Sequence, residues 1–289
     1  MMFLSAQKPG LIKDAYIYKP DSLIFDLEDA VAENQKDAAR FSLYQAMRTV
    51  DYRGVERLVR INALDTPHWK EDIRVAVASA VDGIRISKCE TAGDVLEVAR
   101  HIDLAEKEFN RPSGSTLIMA ALESPKGILN AYDICVACPE RFFGVAISGG
   151  DFRKCMQTAY VPGGIEMLAG RANMLLAARA AGVQCFDTVF TNLDDMDGFR
   201  EEVVQNKQMG FDGKSIISPK QIGIVHEVFT PSRKEIVAAE KIVRAVRDNL
   251  KSGVGVFTVD GKMIDIAFLP GAERVIALAK ASGVYEGDL

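Results

Sequence analysis

Leu117-Ile118-Met119-Ala120-Ala121-Leu122-Glu123 is an unbroken apolar run that ends on a carboxylate. Phe142-Phe143-Gly144-Val145-Ala146-Ile147-Ser148-Gly149-Gly150-Asp151 repeats the arrangement. Short apolar runs bounded by turn residues read as strands buried on both faces, the kind found in parallel sheets. A carboxylate just past such a strand is poorly placed for packing and well placed for a divalent cation. Two acids, waters and a chelating substrate make an all-oxygen octahedral site that suits Mg²⁺ or Mn²⁺. The same spacing also fits a plainer arrangement, in which a neighbouring backbone amide satisfies one acid and the other caps a helix.

Working outward, similar runs stand at 2–5, 22–26, 57–61, 83–87, 185–188 and 213–217, which with 117–122 and 142–147 makes eight. Helical patterns lie between most of them. Residues 36–49 carry apolar side chains at helical spacing, 91–109 opens on Thr91 as an N-cap, and 164–181 and 194–209 stop at Gly182 and Gly210. Eight strands alternating with helices predict a TIM (β/α)8 barrel over residues 1–232. An open doubly wound sheet is the competitor, but no GxGxxG follows the first strand. From 233 to 289 the pattern changes to a long charged amphipathic helix (233–251), a hairpin-like segment (253–265) turning at Asp260-Gly261, and a final helix (272–281). This tail cannot be a ninth barrel unit. It reads as a C-terminal helical and hairpin extension, serving as lid, oligomer arm or both.

The chain has 289 residues, 48% of them apolar, which is ample for one large barrel core. A net charge of −5 leaves no general polyanion footprint and argues against nucleic acid as a partner. No secretory leader is evident, so the five cysteines are expected to be reduced thiols in a cytoplasmic protein. Cys135-x-x-Cys138 has no second CxxC and reads as packing rather than zinc ligation. None of the three histidines has HxxxH spacing. No window offers the roughly 18 apolar residues of a membrane span.

Three further positions bear on chemistry. Asp26-Leu27-Glu28-Asp29 puts three carboxylates at the end of the second strand, where they repel one another unless a cation or donors relieve them. Acids at a helix start are the plainer reading. Arg60, inside Leu58-Val59-Arg60-Ile61, must be paired if buried, either with a substrate carboxylate or oxyanion or with the Asp26/Asp29 cluster. Lys88 follows the fourth run and could hold an anion; Schiff-base chemistry is disfavoured because Asp82 and Glu90 nearby should keep it protonated.

Phe25-Asp26-Leu27-Glu28-Asp29-Ala30-Val31, Val59-Arg60-Ile61-Asn62-Ala63-Leu64-Asp65, Ala121-Leu122-Glu123-Ser124-Pro125-Lys126-Gly127-Ile128, Gly210-Phe211-Asp212-Gly213-Lys214-Ser215 and Gly261-Lys262-Met263-Ile264-Asp265 together carry a resemblance. The sequence resembles the HpcH/HpaI-type aldolases, a family that takes in citrate lyase β subunits (CitE-like) and malyl-CoA lyases. The resemblance spans nearly the whole chain in the family's order. It implies a modified TIM barrel assembled as a homotrimer or a multiple of one. It implies a Mg²⁺ or Mn²⁺ ion at Glu123 and Asp151, substrate contact by Arg60, and a general acid/base at Asp265, carried on a lid that reaches a neighbouring subunit. Glu28 and Asp29 would orient the metal's waters, and Lys88 would help hold substrate or carrier. The implied reaction is retro-Claisen cleavage of a β-hydroxyacyl thioester, citramalyl-CoA or citryl-CoA, to an acetyl thioester and pyruvate or oxaloacetate. The alternatives are a citryl-acyl-carrier-protein lyase subunit of a citrate lyase complex and a non-catalytic assembly subunit. The chain departs from the family pattern at its start, where an Arg-Ser pair is usual, and at Ser87, Gly150 and Gln157. These departures cluster around the pocket and leave Glu123 and Asp151 in place, so they imply altered acyl specificity rather than lost chemistry.

Overall fold

The computed structural model describes residues 1–251 and 255–289. Gly253 and Val254, the start of the expected hairpin segment, lie outside the described residues. The chain forms two compact units, Met1–Val225 and His226–Leu289.

The first unit is a TIM-type barrel. Its strands are β1 (Met2–Ser5), β2 (Ser22–Asp26), β3 (Glu56–Ile61), β4 (Gly83–Ile86), β5 (Leu117–Leu122), β6 (Phe142–Ile147), β7 (Gln184–Asp187) and β8 (Gly213–Lys214). They pair in sequence order, each parallel to the next. Every residue of β2 and β4 is buried, as expected of strands covered on both faces. The last strand is shorter than the 213–217 run predicts. Ser215 still donates to Asp187 O of β7 at 2.9 Å, and the backbone then bridges to the first strand: Phe3 donates to Ile216 O at 2.9 Å, and Ile216 donates to Met1 O at 2.9 Å. That hand-over closes the ring.

The helical expectations hold because their end signals are local. Thr91 accepts from Asp94 N and Asp94 returns the bond, a capping box that starts the helix Ala92–Glu108. Gly182 and Gly210 take φ of +73° and +104° and end their helices in left-handed caps. The helix Trp69–Ala78 was not among the expected elements, although Glu71 and Asp72 mark its first turn. It carries Asp72, fully buried, which accepts from Asn62 N at 2.9 Å and Arg40 Nη1 at 2.8 Å and so braces the end of β3. Gly127, in the short helix Pro125–Leu129 after β5, permits close packing, since a Cβ there would lie 2.6 Å from Cys89 O. Beside β7 and β8, Lys214 reaches Asp187 (2.7 Å) and Glu202 (2.5 Å), and Arg171 donates to Asp187 at 2.7 and 2.9 Å. All are buried, so each charge there has a partner that offsets its desolvation.

The second unit packs the helices Arg233–Lys251 and Leu269–Ala281 through Ala239, Val243, Ala272 and Ile276. Between them β9 (Val256–Val259) and β10 (Lys262–Asp265) form an antiparallel hairpin. Asp260 and Gly261 both have positive φ, +48° and +78°, the requirement of a type I′ turn. The five cysteines are free, and among the described residues no helix is long and apolar enough to cross a membrane.

Candidate active site

Parallel strands all deliver their C-terminal ends to one face, so residues just past β2, β4, β5 and β6 meet there whatever their separation in the chain. Glu28, Lys88, Glu123 and Asp151 occupy those positions, and Arg60 reaches the same place from within β3. Glu123 and Asp151 line two adjoining cavities of about 440 and 370 Å³. The larger also takes in Lys88, Lys126 and Lys154; the smaller takes in Asp26, Asp29, Arg60 and Arg85.

Glu123 is 2% exposed. Its Oε1 accepts from the Lys88 backbone N–H at 3.3 Å, while Oε2 has no partner among the described residues. Burial, reinforced by the negative charge of Glu28, pushes its carboxyl up to about 7, against the pull of Arg60, the Lys88 amide and Arg85. Asp151 lies in the first turn of the short helix Gly149–Cys155, with its side chain 28% exposed. Of the plainer arrangement, the backbone amide on Glu123 is present, whereas Asp151 stands in a first turn that has no side-chain cap bond. Neither supplies a donor to Glu123 Oε2.

Lys88 adopts φ of +49° at the sharp exit from β4. Its Nζ stands 2.5 Å from Glu28, 3.5 Å from Asp29 and 3.9 Å from Asp151. Burial pulls the ammonium down, but the hydrogen bond and charge of Glu28, with Asp29 and Glu123, raise it well above the usual lysine range. An amine held protonated this firmly is no Schiff-base nucleophile. The acids responsible are not those expected, because Asp82 pairs with Arg57 and Glu90 with Lys126 and Ser124.

Arg60 gives its fork to Asp26, at 2.8 Å through Nε and 2.5 Å through Nη2. Nη1 lies 3.0 Å from Glu28. Burial lowers the guanidinium's pKa, but the charge and hydrogen bonds of Asp26, joined by Glu28 and Glu123, raise it overall. The ion pair with the acidic turn is thus formed, while the arginine still borders the smaller cavity. Asp26 and Glu28 are buried and Asp29 is exposed, in line with strand alternation. Asp265 belongs to the other unit, where its side chain accepts from Ala267 N at 2.8 Å and caps a short turn.

Asp26 is the clamp on Arg60, the ion-pair alternative expected for that arginine. One residue at this site went unread in the sequence. Arg85, 1% exposed in the middle of β4, faces the smaller cavity. An arginine inside an apolar strand is the signal that singled out Arg60, and it applied equally to Arg85.

The residues fit a divalent cation. Glu123 and Asp151 both border the two cavities, and Glu123 keeps an oxygen without a partner among the described residues. Among the described residues no three His, Cys, Asp or Glu side chains are grouped to hold a metal. Glu123 and Asp151 would therefore need water and substrate oxygens to complete the shell, as Mg²⁺ prefers.

Linkage follows from the raised carboxyl. A folded-state pKa above the unfolded value means the native chain binds the proton more tightly. The associated stability is complete below about 4.5 and is lost as pH rises towards about 7. In metal-free protein, Glu123→Gln should match wild type near pH 4.5 and exceed it by roughly 3 kcal/mol above pH 7.5. Urea titrations across that window measure the difference. Parallel curves for the two proteins would mean that Glu123 is not held neutral.

The HpcH/HpaI aldolase/citrate lyase family model matches residues 1–219, and a model for carbon–carbon bond lyases of the TIM-barrel fold matches residues 156–284. The citrate lyase subunit beta of Leuconostoc mesenteroides subsp. cremoris is 45% identical over 288 residues, covering 100% of this chain and 95% of that protein. A (3S)-malyl-CoA thioesterase of Cereibacter sphaeroides is 34% identical, covering 100% of this chain and 96% of that one. Among solved structures, the CitE protein of Mycobacterium tuberculosis in complex with magnesium, acetoacetate and coenzyme A aligns with a TM-score of 0.77 and 28% identity. That alignment covers 96% of this chain and 97% of that one.

Proposed function

The chain belongs to the HpcH/HpaI aldolase/citrate lyase family, and on that premise we propose that it is a magnesium-dependent lyase that cleaves a β-hydroxyacyl thioester to an acetyl thioester and an α-keto acid. The observation that carries this reading is Glu123: a buried carboxyl with one oxygen unpartnered among the described residues, lining the same cavity as Asp151 at the C-terminal ends of the strands. Such a group destabilises the fold unless something binds it.

Glu123 and Asp151 would hold the ion. When bound, Mg²⁺ supplies Lewis-acid polarisation at a hydroxyl and its neighbouring carboxylate. The remaining work falls to the chain's own side chains. Arg60, oriented by Asp26 and Glu28, stabilises negative charge developing on the substrate oxygen. Lys88, fixed as an ammonium, holds Glu28 in position and offers a positive charge to the incoming thioester. The hydroxyl gives up its proton to water, the bond between the carbinol carbon and the thioester's α-carbon breaks, and the electron pair passes to a thioester enolate. Asp265, or a water it holds, returns a proton to that α-carbon, yielding the acetyl thioester. The lid carrying Asp265 comes from a neighbouring subunit of a homotrimer or higher multiple.

Two carriers fit, coenzyme A and an acyl-carrier protein. The 45% identity to a citrate lyase subunit beta, against 34% to a malyl-CoA thioesterase, favours a citryl thioester. Full-length protein with Mg²⁺ should release keto acid from citryl-CoA or citramalyl-CoA. It should lose that activity in chelator and regain it on adding Mg²⁺. Absence of keto acid from every thioester, CoA-linked or protein-linked, would leave an assembly subunit.

A further inference from the structure

Arg85 has no role in the reaction as described, yet it is among the largest fully buried side chains of the molecule. It pairs across the sheet with Arg60 on one side and Met119 on the other. The two arginines share Phe3, whose ring centre lies 5.1 Å from each guanidinium carbon, but their partners differ sharply. Arg60 is held by the carboxylates of Asp26 and Glu28. Among the described residues Arg85 meets only two hydroxyls, at long range, Ser215 at 3.4 Å and Ser148 at 3.3 Å, and its Nε has no partner. Glu123, Asp26 and Glu28 act on it only through their fields, without a hydrogen bond. Burial, with repulsion from Arg60, brings its pKa down to about 10, so it remains a cation. Its head borders the 370 Å³ cavity that also contains Glu123 and Asp151.

A buried guanidinium without a carboxylate is costly to the fold, so packing does not account for it. The planar fork is built for a carboxylate. Both serine hydroxyls can rotate to donate to the same oxygens. Arg60 is assigned to the reacting oxygen, and the hydroxyl and α-carboxylate fall to the ion that Glu123 and Asp151 would hold. What is left for Arg85 is another anion on the same half of the substrate.

We propose that Arg85 binds the second, non-reacting carboxylate of the substrate's keto-acid half, and thereby selects thioesters whose keto-acid product is a dicarboxylate; the inference rests on the lyase reading. Citryl and citramalyl thioesters differ at this point alone, a carboxymethyl arm against a methyl group. Oxaloacetate is therefore the favoured product and pyruvate the disfavoured one.

Arg85→Met removes the charge at similar volume. It should lower kcat/KM for citryl-CoA by ~10²-fold or more, because an unpaired group on either side of a buried contact is strongly rejected, and change citramalyl-CoA cleavage by less than about 3-fold. Arg85→Lys should recover part of the loss. Calorimetric titration with Mg²⁺ present gives an independent reading: oxaloacetate should weaken ~10²-fold in Arg85→Met while pyruvate is unchanged. The variant should melt at or above wild type, since an unpaired buried charge is removed. Equal losses for both thioesters and both keto acids, or a large drop in melting temperature, would overturn the assignment. Should the wild type cleave neither thioester, the lyase reading fails, and the oxaloacetate and pyruvate titrations still decide Arg85.

Discussion

Glu123→Ala is expected to lower Mg²⁺-dependent turnover by at least ~10³-fold, the loss of several kcal/mol of Lewis-acid stabilisation at the reacting oxygen. The expectation rests on how little else Glu123 does. It accepts one 3.3 Å bond from the Lys88 amide, and its other oxygen has no partner among the described residues. A carboxyl kept for stability would be paired; this one is raised to about 7 by burial and by Glu28. The variant should therefore fold as well as wild type, and its metal-free melting temperature should not fall. Mg²⁺ should raise the melting temperature of wild type and leave that of the variant unchanged, because only a chain that binds the ion gains from it. Turnover that persists in chelator would instead point to chemistry centred on Lys88.

Asp265→Asn should lower kcat by ~10²-fold or more with little change in Mg²⁺ binding, the range for a positioned general acid or base. Asparagine is the informative replacement because Asp265 also caps a turn by accepting from Ala267 N at 2.8 Å. Asparagine caps nearly as well as aspartate, so the hairpin keeps its anchor while the titrating oxygen is lost. Because the lid is proposed to serve a neighbouring subunit, mixed oligomers of Asp265→Asn and Glu123→Ala chains should regain activity that neither has alone. An intact site then forms wherever a functional lid meets a functional barrel. Unchanged kcat in Asp265→Asn would remove the lid from the mechanism. Mixtures as inactive as their parents would keep each lid on its own barrel.

Sequence reading reached the barrel because its signals are local. A strand covered on both faces must be apolar throughout, and 117–122 and 142–147 are. Thr91, Gly182 and Gly210 mark helix ends through bonds and φ values that lie within a few residues. The last strand was overread, since apolar composition at Ile216 and Ile217 does not reveal that the backbone has turned to the first strand. The helix Trp69–Ala78 was missed, and with it Asp72, which supports Asn62 at the end of β3.

At the site, chain order alone was enough to bring Glu28, Lys88, Glu123 and Asp151 together, because parallel strands place their C-terminal ends on one face. It could not apportion charge among them. Whether Arg60 holds Asp26 or stands free, whether Lys88 is raised by Glu28 or by Asp82, and whether Arg85 has a partner are set by distances of a few ångströms across strands distant in sequence. Burial then multiplies those small differences, since an ion pair that closes is neutralised and one that fails to close leaves a bare charge in a poorly solvating medium. The order of residues thus determined which side chains meet at the barrel's mouth. Only the folded packing decided that Arg60 is held by carboxylates while Arg85 and one oxygen of Glu123 are not.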